Sequence, residues 1–200
     1  MKSVLISIRP KWVEKIASGE KTIEVRKTAP KEVPFKAYIY CSKEKKQDDI
    51  IWAGAFGDRG KWNGHVIGEF VCDKVDKIIP LRHTYYNYIG LPIANVIEYG
   101  IWNDDLAQMC LKKKEIDNYG KGKTLYGWHI SDLKIYDRPK ELREFKKTKD
   151  KIAMTCGMQA RNGLCRAIDH EELCDNIKCC FKTPRPSQSW CYVEELKNEP

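Results

Sequence analysis

No apolar run in this 200-residue chain approaches the roughly 20 residues that a membrane-spanning helix needs. The first apolar stretch, KSVLISI, is too short and is followed by charge, so nothing resembles a signal peptide. There is no internal repeat and no low-complexity tract. Neither H-E-x-x-H nor H-x-E…P-C-x-x-C occurs, which argues against a catalytic zinc. No C-x2-C occurs either, the short loop that most often supplies a structural zinc. These absences lead to the expectation of a soluble, cytoplasmic protein with no membrane partner. What is present supports a packed fold. The hydrophobic fraction is 42%, with six Trp and ten Tyr, which excludes a disordered chain. The formal charge of +8 is compatible with an anionic partner such as RNA or DNA, although lysine runs such as 112–114 and 146–151 also carry it as solvated charge.

The most informative stretch is Ile8 to Arg26, IRPKWVEKIASGEKTIEVR. Pro10 suits the first position of a helix, and Gly19 suits the left-handed residue just past its end. Trp12, Val13, Ile16 and Ala17 share one helical face, a periodicity that favours a core position for Trp12 over its other reading, a cleft residue beside Arg9 and Lys11. From Lys21 the period changes to two. Ile23 and Val25 point one way, and Thr22, Glu24 and Arg26 point the other. A strand with Glu and Arg on a wet face is ordinary, and a surface Glu24–Arg26 pair contributes little to stability. The same residues also offer chemistry. Arg26 suits bidentate contact with a phosphate or base edge. Lys21 suits a base or nucleophile if burial lowers its basicity. Glu24 suits a hydrogen-bond acceptor or general base.

Along the rest of the chain, residues 2–8 read as a strand, 10–18 as a helix, 21–27 and 36–41 as strands. Residues 43–63 read as a long glycine-bearing loop whose Trp52, Phe56 and Trp62 either cover a cleft or pack the loop down. Residues 65–79 read as one central strand with a bend. The run from His83 to Tyr99, with four tyrosines, reads as short helices or turns. Asn103 reads as the N-cap of a helix running to Asn118, with Asp104 and Asp105 complementing its dipole. Thr124 to Tyr136 reads as a returning strand. Short strands interrupted by one or two helices fit an α+β class built on a mixed or antiparallel β-barrel.

Nine cysteines are present, and six of them lie between residues 156 and 191. Cys41, Cys72 and Cys110 sit among apolar residues and read as buried thiols. The cluster, C156-x8-C165-x8-C174-x4-C179-C180-x10-C191 with His170 inside, offers more than four soft ligands. A short segment gains little from burial alone and tends to need a staple. Structural zinc on Cys156, Cys165, Cys174 and Cys179 is the first reading, with redox thiols or disulfides and plain packing as the others.

Four separated pieces resemble one family. GEKTIEVR is similar to the G-x-K-x-x-E-x-R signature of the ASCH domain family, within the PUA-like superfamily. SIRPKWVEKIASG is similar to that family's first strand and helix, HVIGEFVCDKVDKI to its central strand, and YGWHISDLKIYDRPKELREF to its closing strand. The end, PSQSWCYVEEL, resembles a terminus of phage and prophage members. The resemblance implies a PUA-like barrel with flanking short helices over residues 1–145, followed by a Cys-rich segment, 146–200, of which 187–193 returns to the barrel.

It implies binding of RNA or a nucleotide through a basic cleft, with Arg9, Lys21, Glu24, Arg26, Lys43 and Glu69 as candidate contacts. A second reading is a hydrolase of RNA or acetylated cytidine in which Lys21 and Glu24 would be catalytic. The small amidohydrolases of the superfamily carry G-x-K-T-x-T-x-R, and Gly19, Lys21, Thr22 and Arg26 match it. Glu24 stands where their catalytic threonine would be, which favours binding over turnover. A third reading makes the Cys-rich tail a docking element for a protein partner of unknown kind.

Overall fold

The structure is a computed structural model and describes residues 1–43, 62–146, 148 and 186–196. The expected zinc cysteines 156, 165, 174 and 179, with His170, and the loop residues Trp52 and Phe56 lie outside the described residues. Among the described residues the architecture is α+β, mostly strands with three short α-helices, distributed over two compact units. One unit comprises Met1–Val13, Lys36–Phe70 and Lys134–Pro200, and the other Glu14–Phe35 and Val71–Leu133. No described helix is long and apolar enough to cross a membrane.

The first unit is organised by a five-stranded sheet made of β1 (Lys2–Ile8), β3 (Phe35–Cys41), β4 (Val66–Cys72), β9 (Ser131–Lys140) and β10 (Trp190–Val193). Their order in the sheet is β10-β1-β3-β4-β9. Strand β1 is almost wholly buried, as a continuous apolar run of this length should be in a central position. Leu5, Tyr38, Tyr40, Val66, Phe145 and Val193 form one core, with Tyr38 and Phe145 edge to face at 5.0 Å. A Cβ at Gly68 would fall 2.4 Å from the Lys134 carbonyl, so the glycine of V-I-G-E-F is what lets β4 and β9 approach.

Strand β10 pairs antiparallel with β1, Leu5 opposite Cys191. The segment after it is held twice more. Lys36 Nζ lies 2.7 Å from Glu195 Oε1, and the Leu196 amide donates to Tyr38 Oη at 3.0 Å. The hydrogen bond from Lys36 holds the Glu195 carboxyl below its usual range, and Glu195 in turn holds Lys36 above its own. The stabilisation is therefore complete above about pH 4.5 and lost as pH falls through the lowered Glu195 value; the Lys36 limb lies above pH 10.5. Because Glu195 is partly exposed, about 0.5 kcal/mol is expected. Protection factors of the amides of residues 190–196, corrected for the intrinsic slowing of exchange in acid, should fall on acidification, and Glu195→Gln should abolish that acid limb.

The second unit holds the helices and two smaller sheets. Helix α1 (Pro10–Ala17) enters it from the first unit's sequence and ends in Gly19, whose φ of +78° is the left-handed conformation glycine supplies. Strands β2 (Ile23–Arg26), β8 (Leu125–His129) and β5 (Val75–Ile78) form a sheet in the order β2-β8-β5, antiparallel at both contacts. Strands β6 (Pro80–Tyr86) and β7 (Pro92–Tyr99) form a two-stranded ribbon. Helices α2 (Asn103–Met109) and α3 (Lys113–Gly120) complete the unit. Ile23, Val25, Ile78, Tyr99, Met109, Ile116 and Leu125 form its core.

Four sequence expectations are corrected. The run from His83 to Tyr99 is a hairpin, not helices: its tyrosines and β-branched residues favour a pleated surface, and Asn87 with Gly90 closes the turn, Asn87 Oδ1 accepting from the amides of Ile89 and Leu91. The central strand 65–79 is two strands, β4 and β5, in different sheets. The helix expected from Asn103 to Asn118 is two helices, broken where Cys110 adopts φ +53°, and Trp102, not Asn103, is the residue before the first turn. The strand from Thr124 to Tyr136 is β8 and β9, with Asp132 at φ +47° just past the break.

Candidate functional site

Lys21, Glu24 and Arg26 come together in the second unit. Backbone bonds fix the entry to β2: the Lys21 amide donates to Lys15 O at 2.8 Å, Thr22 N to Gln108 O at 2.9 Å, and Ile130 N to Thr22 O at 2.9 Å. The strand is thus anchored to α1, α2 and the end of β8. Lys21 Nζ donates to the Met109 carbonyl at 2.6 Å, one of the carbonyls left over at the C-terminus of α2, where a cation complements the helix dipole. The same nitrogen lies 3.4 Å from Glu24 Oε2, and Arg26 Nε lies 3.1 Å from Glu24 Oε1.

The three charges are buried. Lys21 is 2% exposed, Glu24 6% and Arg26 7%. This corrects the reading of Glu24 and Arg26 as a wet face carrying a weak surface pair. Alternation reported the two sides of the strand correctly but not its depth. The charges tolerate burial because one carboxylate stands between two cations.

Strand register reveals residues that the sequence did not single out. Glu24 is directly opposite Trp128, which is opposite Val75; Arg26 is directly opposite Tyr126, which is opposite Lys77. Directly opposed residues share a face, so one side of this sheet carries two rows. The Glu24–Trp128–Val75 row is closed: Trp128 is fully buried and Phe35 stands edge to face against it at 5.0 Å. The Arg26–Tyr126–Lys77 row opens outward, from a buried guanidinium through a half-buried phenol ring to an exposed ammonium. Tyr126 and Lys77 carry no motif, and only the pairing of three strands far apart in sequence brings them to Arg26.

The opposite side of the sheet holds Ile23, Val25 and Leu125, with His129 and Asp76 toward its end. His129 Nε2 lies 2.7 Å from Asp76 Oδ2, and Lys74 Nζ lies 2.9 Å from the same oxygen. Burial alone would raise the Asp76 carboxyl, but hydrogen bonds from Lys74 and His129 outweigh it and hold it below the usual range. Cys72, fully buried, donates to Lys74 O, and burial pushes its thiol up to about 12, which rules it out as a nucleophile near neutral pH.

The other three candidates belong to the first unit. Arg9 is exposed, its carbonyl accepting from the amides of Trp12 and Val13 at the start of α1. Lys43 is exposed, with its side chain lying over Gly64. Glu69 accepts a hydrogen bond from Tyr136 Oη at 2.6 Å and lies 3.8 Å from Lys36 Nζ. Burial first, and then the Glu69 carboxylate, hold the Tyr136 phenol above its usual range, so it stays a donor. Trp12 is half-buried, with Lys11 Nζ 4.3 Å from its ring centroid. Of the thiols expected in the core, Cys41 and Cys72 are buried and Cys110 is half-buried, as is Cys191. No cluster of His, Cys, Asp and Glu suited to a metal occurs among the described residues.

No family model and no curated protein matches the sequence. Solved structures do. The ASCH protein from Zymomonas mobilis superimposes with a TM-score of 0.50 at 15% identity, over 97% of this chain and 89% of that one. Two mutant forms of the same protein give TM-scores of 0.48 and 0.49, at 14% and 15% identity, covering 98% and 97% of this chain and 92% and 89% of theirs. At such identity the likeness speaks to the fold alone: this chain shares the α+β fold of the Zymomonas mobilis ASCH protein.

Proposed function

We propose that the chain is a member of the ASCH family that binds single-stranded RNA or a nucleotide on the β2-β8-β5 sheet. The observation that carries this reading is the row Arg26–Tyr126–Lys77. An aromatic ring flanked by two cations matches a nucleotide's needs: a face to stack the base, and charge for the phosphates on either side. The buried triad beside it supports the same reading. Burying three charges is a poor way to gain stability, so a constellation held this firmly points to function. In this reading Glu24 orients the Arg26 guanidinium, and Lys21 braces Glu24 from the end of α2. The net charge of +8 favours encounter with an anion. Arg9 and Lys43, exposed cations of the first unit, are proposed as phosphate contacts in their own right, apart from this row.

Fluorescence anisotropy at low salt with single-stranded RNA, duplex RNA and free nucleotides tests the proposal. Arg26→Ala and Tyr126→Ala should each weaken binding by about tenfold or more, corresponding to about 1–3 kcal/mol for a lost stack or bidentate contact. Lys77→Ala should lower affinity modestly and reduce the slope of log affinity against log salt by about 0.7. Lys113→Ala, whose ammonium pairs with Glu98 instead, should change little. Absence of binding to any of the three ligands would end the proposal. The hydrolase reading is separated by assaying turnover of acetylated cytidine and labelled RNA, with Lys21→Ala as the control.

A further inference from the structure

The β6–β7 ribbon is a surface that the RNA reading leaves unused. From Thr84 to Ile97 the sequence contains no Asp, Glu, Lys or Arg, in a chain that is 32% charged. That uncharged run coincides with the ribbon's outer part. Tyr85, Tyr86, Tyr88, Ile89, Leu91 and Ile93 are each more than half exposed, and Tyr88 is 99% exposed. Both ribbon strands have an unpaired edge among the described residues, because the sheet has only two strands. Toward its base the ribbon is anchored: Tyr99 is buried and donates to Lys123 O at 2.5 Å, and Lys113 pairs with Glu98 at 2.7 Å. Among the described residues no hydrogen bond or ion pair ties the outer part to the rest of the unit, and a two-stranded ribbon is marginal in water unless its apolar face is covered.

We infer that this outer part of the ribbon docks against the same stretch of a second copy of the chain, forming a two-fold symmetric dimer. Charge chooses the occupant. A nucleic acid or an anionic membrane would be met by Lys and Arg, and a charged peptide by the opposite sign; the outer part of the ribbon, Thr84 to Ile97, presents none of these. In a two-fold contact the same patch meets itself, so any charged patch confronts its own sign. On a chain of net charge +8, a neutral apolar patch is where self-contact meets least repulsion. The six large side chains expose on the order of 900 Å² in all, spread over both faces and the tip of the ribbon, so a contact that takes one face and the tip covers ~500 Å² per partner, about the least that a specific interface needs.

Sedimentation equilibrium of the full chain, treated with ribonuclease, decides the matter. A dimer is expected at micromolar concentration, unchanged in 1 M salt because the contact is apolar. Ile93→Lys and Tyr88→Glu should each give a folded monomer, with circular dichroism unchanged. Amide exchange of residues 85–96 should slow as wild-type concentration rises, which reads the contact without any substitution. A wild-type monomer up to about 100 μM, a dimer that dissolves with ribonuclease or salt, or a dimer that survives both substitutions would overturn the inference. Because these substitutions change none of Arg26, Tyr126 and Lys77, RNA affinity serves as a separate readout: its absence would count against the binding proposal and leave the dimer standing.

Discussion

Glu24→Ala is expected to destabilise the protein by about 3–5 kcal/mol, measured as a fall in the urea midpoint at constant slope. The carboxylate is 6% exposed and lies within 3.4 Å of Lys21 Nζ and 3.1 Å of Arg26 Nε. Removing it leaves two cations close together and poorly solvated. Nothing in the substitution restores their hydration, so the loss reflects stranded charge more than a lost contact. The complementary experiment replaces the whole set. Lys21→Met, Glu24→Leu and Arg26→Met together remove every buried charge while keeping similar volume, and the triple variant should be as stable as the wild type or more stable. It should also fail to bind RNA or nucleotide. A triad that is dispensable for folding and necessary for binding is the signature of a functional site. If Glu24→Ala instead costs less than about 1 kcal/mol, the triad is solvated and behaves as a surface network. If the triple variant binds normally, the row Arg26–Tyr126–Lys77 is not where the ligand sits.

What the sequence made legible was local. Pro10 and Gly19 bracket α1, and the switch to a period of two marks β2, because these signals act within a few residues. Trp190–Val193 forms β10 and pairs with β1, a segment that family resemblance and not a local signal had singled out. The failures share a cause: they depend on partners distant in the chain. Alternation told Glu24 from Ile23 but not that both would be buried, since burial of Glu24 rests on cations at 21 and 26 and on the carbonyl of Met109, which fixes Lys21 from 88 residues away. The tyrosine-rich stretch looked like turns because its strands show no clean alternation; both of its faces are exposed, so no core face imposes a pattern. Helix breaking at Cys110 had no glycine or proline to announce it. Tyr126 and Lys77 were invisible for a related reason. Their significance is their register opposite Arg26, and register is a property of the assembled sheet.

Trp128→Ala carries the other large effect, an expected loss of about 3–5 kcal/mol. The indole is fully buried, stands edge to face against Phe35, and lies opposite Glu24 on one side and Val75 on the other. Truncation removes most of its volume from the closed row, and the central position of β8 leaves the backbone little room to collapse into the void. Trp128→Phe should lose distinctly less, since a ring remains to meet Phe35, and a double-mutant cycle between positions 35 and 128 should return about 0.5–1.5 kcal/mol of coupling. The consequence for binding separates two ways in which a site is held. If the packed row fixes the open one, Trp128→Ala weakens RNA affinity even under conditions where the protein is fully folded, because Glu24 shifts and Arg26 shifts with it. If pairing of β2, β8 and β5 alone is sufficient, the folded fraction of Trp128→Ala binds as the wild type does. The ion pair between Glu24 and Arg26 favours the first outcome, since it couples the two rows directly through a side chain rather than through the backbone.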